Sequence, residues 1–525
     1  MTGVAFMLRT RLTTHRRILI VWTLVLVGSL AFTALSVAAL YDTPEKIQAY
    51  GQAVVSDALV AINGRVEGID SLGGIIADEF GFMASFLMPV AGIACMASMT
   101  RAEEASGRME ALLSGSIDRR CPVVAALVLV TGAGVVMVTG FVVSLVAAGI
   151  DPAAAALYSL SLGLLMLFFA ALSAVLAQVV GHSRGVYAGG LAVVALAYVL
   201  RGIGDVRHTF WVWLSPLGWL EKTAPFAAAQ RWWVLLIPTC VTTGLTLLAI
   251  ALAGRRDLGS AMIHQPPGDE RASRWLVQPI GLAVHRQRGS FLGWAIGSLI
   301  LAAVMGALAQ ELIDAITANS TLSSATGISA DDATDGFLAF TQVYLALIAC
   351  GYLVQGFGSL RREETADRLE PMLTGRVGRT GWLAAQLITI LTGLLVMVTT
   401  SAIALSIATA LSTRAANDAG TALEAGLGYV PAELVVAGAA VLVFGAAPRA
   451  YALVWGAFGA ITFLALLGSG LQLPPWLLDL SPLSHVGYPP VDAARPLALA
   501  VLTFLAAALT TSAFIAFRRR RVPVA

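Results

Sequence analysis

Residues 101–119 read RAEEASGRMEALLSGSIDR, and residues 361–379 read RREETADRLEPMLTGRVGR, the same pattern moved by 260 positions with no gap between the copies. The identities are charge-bearing or turn-forming: Arg101 with Arg361, Glu103 with Glu363, Glu104 with Glu364, Arg108 with Arg368, Glu110 with Glu370, Leu113 with Leu373, Gly115 with Gly375 and Arg119 with Arg379. Each copy lies between long apolar stretches. The chain therefore reads as a duplicated membrane protein that presents one polar device twice, and a repeat of this length sets the architecture before local detail does.

Composition agrees with that reading. Of 525 residues, 58% are hydrophobic and 12% charged, with a mean hydropathy of +0.82, whereas soluble domains carry about 25% charged residues. Apolar runs long enough to cross roughly 30 Å of hydrocarbon fall at 18–40, 79–100, 122–148, 153–180, 185–201 and 233–253, then at 290–309, 337–358, 382–411, 431–446, 451–468 and 496–517. The expected fold is all-α and polytopic: twelve transmembrane helices as two parallel six-helix repeats. The expected divisions are a first half at 1–253, a linker with an amphipathic interfacial helix at 254–289, and a second half at 290–525.

Orientation follows from Lys and Arg, which cytoplasmic loops retain. With the N-terminus inside, the segments 1–17, 101–120, 181–184, 254–289, 359–381, 447–450 and 518 onward hold 25 of the 33 Lys and Arg. Both termini are thus expected in the cytoplasm of a bacterial cell, and the net charge of +2 reports topology and gives no sign of a nucleic-acid partner. The first apolar stretch is longer than a signal-peptide core of about 7–15 residues, which favours an uncleaved span. Cys95, Cys121, Cys240 and Cys350 have no disulfide or zinc spacing.

More than the charged loop repeats. Leu214-Ser215-Pro216-Leu217 recurs as Leu480-Ser481-Pro482-Leu483, and His15 and His285 each head a basic cluster before the first span of a half. Both halves start from the cytoplasm, so the repeats are parallel, related by an axis along the membrane normal. Residues 4–17 interleave apolar residues with arginines, and so does the stretch from Arg271 to Arg288, where Trp275, Leu276, Ile280 and Leu282 alternate with Arg271, Arg274, Arg286 and Arg288, as a helix at the headgroups does.

Read as a helix from about 100 to 114, the first copy sets Glu104 and Arg108 four apart, as Glu364 and Arg368 are in the second, the favourable acid-before-base order. Met109, Leu112 and Leu113 form an apolar stripe, and Gly115 and Gly375 stand where a helix would end. Such an element offers acids and a Met/Leu patch to a cytosolic partner. A plain solvated helix tying spans two and three is the competing reading, and the retention of one charge pattern in both halves argues against it.

At these residues the chain resembles the permease subunits of type-2 ATP-binding cassette (ABC) exporters, in particular the fused two-half permeases associated with polyketide antibiotics such as tetronasin and with other drugs. The resemblance spans nearly the full length and rests on six spans per half, the Glu-Glu-x-x-Gly-Arg-like loop, and Leu-Ser-Pro-Leu-Gly-Trp at 214–219. It implies that the loop is a coupling helix facing an ATPase subunit. By position the role falls on Glu103, Glu104, Gly107, Arg108 and Glu110, and on Glu363, Glu364, Arg368 and Glu370. The second copy has Asp367 where the first has Gly107. The resemblance also implies a substrate path along the second and fifth spans: Phe82, Met83 and Phe86 in one half, Phe337, Phe340, Gln342 and Tyr344 in the other. Met and aromatic faces suit a broad apolar ligand.

The chain has two lysines, Lys46 and Lys222, and neither follows Gly as a phosphate-binding P-loop lysine does. It carries no ATPase motif of its own, so the expectation is a transport subunit that is not itself an enzyme and has no cofactor. ATP and Mg would be bound by a separate cytosolic ATPase, in two copies. The other expected partners are membrane lipid and a hydrophobic small molecule. The alternative is a proton-coupled secondary transporter of the major-facilitator type, which would want ionisable groups deep in the spans. The spans as drawn hold almost none, with Glu433 close to an outer end. The Trp- and Pro-rich segments 202–232 and 469–495 read equally as interfacial belts or, by the resemblance, as short re-entrant helices over the path.

Overall fold

The computed structural model describes residues 3–54, 60, 63–105, 107, 109, 117–256, 261–263, 273–318, 333–365, 369, 372, 378–414, 419–467, 474–493 and 495–520. Two compact units divide the chain, Met1–Pro267 and Gly268–Ala525. Among the described residues there is no strand.

The first unit contains α1 (Val4–Leu40), α2 (Pro44–Ala53), α3 (Leu72–Met99), α4 (Arg101–Ala105), α5 (Cys121–Ala147), α6 (Pro152–Val179), α7 (Ser183–Val206), α8 (Pro216–Lys222) and α9 (Leu236–Arg255). The second contains α10 (Pro279–Ala307), α11 (Ala309–Ala318), α12 (Ala333–Thr365), α13 (Arg379–Thr413), α14 (Ala419–Ala446), α15 (Ala452–Leu467), α16 (Pro475–Leu478) and α17 (Pro496–Arg519). Ala- and Leu-rich composition favours helix throughout, and lipid demands it, since a spanning segment must satisfy its own backbone polar groups. Local signals fix several starts. Asp151 caps α6 by accepting from the Ala153 and Ala154 amides, both at 3.0 Å, with Pro152 at the first helical position.

Eleven helices among the described residues are long and apolar enough to cross a membrane. The stretch expected as the fifth span of the second half is α15, only 16 residues, or about 24 Å at 1.5 Å per residue; residues 468–473, which that span was drawn towards, lie outside the described set. The two units repeat one packing scheme. In the first, α1 packs on α5, α6 on α9, and α3 on α1, α6 and α7; in the second, α10 packs on α13, α14 on α17, and α12 on α10, α14 and α15. The second span is the core of each unit: 72% and 83% of its most apolar window is buried, against 17% for the sixth span in both.

Three expectations are corrected. The amphipathic segment 4–17 is not a separate interfacial helix but the first turns of α1, which runs unbroken into the span. In the linker, Trp275 to Val277 form a turn and the helix starts at Pro279, continuous with the first span of the second half. The fourth span of the second half was drawn from Pro431, yet α14 begins at Ala419 and passes straight through that proline, as membrane helices tolerate. Glu433 is therefore not near an end. It lies 14 residues from Ala419 and 13 from Ala446, about 20 Å along the axis from either.

Candidate functional site

The repeated loop begins where the second span runs out. In the first unit α3 ends at Thr100, whose φ of −117° and ψ of −95° break the helix before α4; in the second, α12 continues to Thr365 without interruption. The helix expected over 100–114 does not run through, because Gly107 has φ +73°. That left-handed backbone suits glycine and interrupts a right-handed helix. Arg108, Glu110, Arg368, Glu370 and Asp367 lie outside the described residues.

The acids that are described turn inward. Glu103 is buried, with its Oε1 2.9 Å from His15 Nε2 on α1. Glu104 takes two arginines, Arg101 at 2.7 Å and Arg256 after α9. Arg101 is itself buried and donates through Nε to the Ala177 carbonyl at the end of α6, 2.6 Å away. Arg11 on α1, also buried, donates to the Met99 carbonyl. The second unit repeats the arrangement. Glu363 pairs with Arg286 on α10, the residue after His285, and Glu364 accepts from Arg520 after α17 at 2.7 Å. In both units the first acid of the Glu-Glu pair holds the leading helix and the second holds an arginine just beyond the sixth span. Arg379 adds a donor to the Arg520 carbonyl at 2.7 Å, and Arg520 lies 5.5 and 5.6 Å from the ring centroids of Phe444 and Phe517.

The described apolar residues of the two loops turn inward too. Met109 is buried against Met7, Cys121 and Ala125, and Leu369 enters the core of the second unit. Sequence reasoning singled out the acids and the basic clusters separately and did not join them. The joining signal was present: His15 and Arg286 flank the first spans and Arg256 and Arg520 follow the last, at shifts close to that of the loop.

The candidate path residues divide. Phe82, Met83 and Phe86 share an exposed face of α3, with Phe82 5.6 Å from Phe86, and Phe86 stacks 5.1 Å from Tyr198 of α7. Phe340 and Tyr344 are half-buried and 5.0 Å apart. Phe337 and Gln342 face the interior of their own unit.

At the other end of the first unit is an ionic group that the span assignment passed over. Arg201 of α7 is buried, 3.5 Å from Glu221 of α8, and donates to the Asn63 carbonyl at 3.2 Å. Lys222 lies 3.8 Å from Asp205. Asp78 accepts from Tyr50 at 2.7 Å and Asn63 at 3.1 Å. Gly64, with φ +96°, seals the group: a Cβ there would meet Glu221 Oε1 at 1.9 Å. Burial pushes the Glu221 carboxyl up, opposed by Arg201. The repeated Leu-Ser-Pro-Leu differs between units. Ser215 caps α8 and donates to the Ala197 carbonyl at 2.6 Å, whereas Leu480-Ser481-Pro482-Leu483 forms turns.

Residues 276–518 match the family "Multidrug efflux system permease Rv1217c, C-terminal domain". Over 531 aligned residues the chain is 34% identical to the "Multidrug efflux system permease protein Rv1217c" of Mycobacterium tuberculosis (strain ATCC 25618 / H37Rv), covering 99% of this chain and 95% of the relative. The chain belongs to this family of multidrug efflux permeases. In the permease, the doubled clasp and the second-span aromatics are thus features of a transport protein, and the family match covers Arg286, Glu363 and Glu364 of the second-unit clasp and ends two residues before Arg520.

Proposed function

We propose that this permease is the membrane subunit of an ATP-driven type-2 ABC exporter that moves hydrophobic drugs or polyketide-type antibiotics outward by alternating access. A separate cytosolic ATPase, two copies per chain, would bind ATP and Mg and dock at the basic end, in the cytoplasm of a bacterial cell. The observation that carries this reading is the doubled clasp. A loop pinned in both units to the leading helix and to the end of the sixth span is built to pass a push on the loop to three spans at once. In this reading Glu103, Glu104, Glu363 and Glu364 transmit, and the remaining loop residues, including Arg108, Glu110, Arg368 and Glu370, supply the docking face.

The test is co-purification. Glu104→Arg with Glu364→Arg should uncouple drug-stimulated ATP hydrolysis while the permease still inserts in the membrane. An ATPase that stays bound and fully stimulated would remove these loops from the coupling route. One observation favours a second reading, ion-coupled transport: Glu433 lies in the middle of a span. A protonophore that stops efflux while cellular ATP is maintained would support that alternative.

A further inference from the structure

Glu433 is 1% exposed, and its Oε2 meets no donor among the described residues. It lines a small cavity between α10, α12, α13 and α14 whose other polar groups are Ser298, Gln342, Ser401 and Tyr429, with no base in the wall. Ser401 donates to the Met397 carbonyl at 2.8 Å and Gln342 to the Ala422 carbonyl at 2.9 Å. Tyr429, one turn before Glu433 on the same face, donates to the Gly487 carbonyl at 3.0 Å. Tyr429 also borders a second, larger cavity, lined by Val343, Leu464, Ala465 and Leu478 with Asp479 among its polar groups and closed on one side by Ser481–Tyr488. Its volume is about 250 Å³, just below the usual range of a drug site, whereas the small cavity, about 10 Å³, has room for about one water.

The acid is built once per chain. At the register of the repeated loop, Gln342 corresponds to Phe82, Ser401 to Phe141 and Glu433 to Ser173, so no acid stands at the matching position of the first half. A buried carboxylate with no base beside it costs several kcal/mol unless a proton or another cation accompanies it. A buried carboxylate with no base in its wall, beside a larger and partly apolar space that carries only the acid Asp479, is the complement of a lipophilic compound with a positive charge.

We propose that Glu433 receives the positive charge of a lipophilic monocation, with the larger cavity beyond Tyr429 taking its apolar body. The inference deepens the export reading by naming a substrate class, and it rests on that reading only for the direction of travel.

Binding tests it without the ATPase. The full-length permease in lipid nanodiscs is titrated with tetraphenylphosphonium and with tetraphenylborate, which has the same shape and the opposite charge. Wild type should prefer the cation, and Glu433→Gln should weaken its binding about 10- to 100-fold, the worth of one charge-assisted contact. Glu433→Asp should retain the preference for the cation. Equal binding of the two probes, or an unchanged Glu433→Gln, overturns the proposal. On the unaltered protein, tetraphenylphosphonium should protect Glu433 from a hydrophobic carbodiimide, read by peptide mass spectrometry. Protection by sodium ions alone would assign the site to a metal cation and also overturn it. Intact binding with no ATP-dependent efflux would count against the export reading and leave this inference standing.

Discussion

Glu104→Gln is the sharpest perturbation of the clasp, because it removes one charge and keeps the shape. Glu104 holds Arg101 and Arg256, and the three side chains are 13%, 2% and 8% exposed. Losing the anion leaves two guanidiniums facing each other in a poorly hydrated site. Each charge-assisted bond is worth about 1.5–3 kcal/mol, and stripping one member of a buried pair costs about 3–5 kcal/mol. Taking about 3 kcal/mol, and a shift of roughly 2–4 °C per kcal/mol for a unit of this size, the unfolding midpoint should fall by about 6–12 °C. The assay is tryptophan-fluorescence melting of the purified permease without any ATPase, so that loss of a partner cannot contribute. A cycle with Arg256→Gln should give a coupling energy of about 1–3 kcal/mol, since contacting residues are not additive. A midpoint within about 1 °C of wild type, or strict additivity, would refute the clasp and return Glu104 to the role of a surface docking residue.

Arg520→Lys in the second unit should cost nearly as much as Arg520→Gln, because lysine cannot keep the Glu364 contact, the Phe444 carbonyl and the Phe444 and Phe517 ring faces together; full rescue by lysine in the same melting assay would show that charge alone matters. Gly64→Ala should lower the yield of folded protein, since the added Cβ meets Glu221 and a left-handed backbone costs an L-residue roughly 1–2 kcal/mol; wild-type yield and midpoint would contradict that packing. Glu221 binds its proton more tightly folded than unfolded, so its contribution to stability is complete below the ordinary glutamate value of about 4.3 and is lost as pH rises through the folded value. Melting followed upward from pH 4 should therefore show a decline that Glu221→Gln flattens, and identical pH profiles would exclude Glu221 as its source.

Hydropathy located the spans because each helix must keep its apolar residues in lipid, a constraint written along the chain itself. It failed where helix continuity depends on something other than hydropathy. Pro431 looks like a start in a linear reading, yet neighbouring helices support α14 through it, which moved Glu433 from a rim to the middle of a span. Residues 4–17 looked amphipathic and are, but Arg11 satisfies itself on the Met99 carbonyl, so the helix had no need to turn along the membrane surface. The repeat singled out the acids of the candidate site as one device. It could not say that Glu103 and Glu104 face His15 and Arg256, because those contacts close over 88 and 152 residues and only tertiary structure brings their partners together.

The two units keep different things, and the pattern bears on mechanism. At the basic end the clasp is the same twice over, down to which acid meets which helix. Elsewhere they have parted: the first unit has Arg201 and Glu221 sealed under Gly64, with Asp205 beside Lys222, and the second has Glu433 with no base in its wall and a larger cavity alongside. In the proposed reading, a force applied symmetrically needs equal levers, and selection acting on the levers alone leaves the rest of each half free to specialise. A compound is an asymmetric object and gains nothing from being met by two identical sites. Symmetric mechanics with asymmetric recognition also explains why a duplicated chain would remain fused: a homodimer of either half would carry two sealed ionic groups or two uncompensated acids, and only the fusion provides one of each.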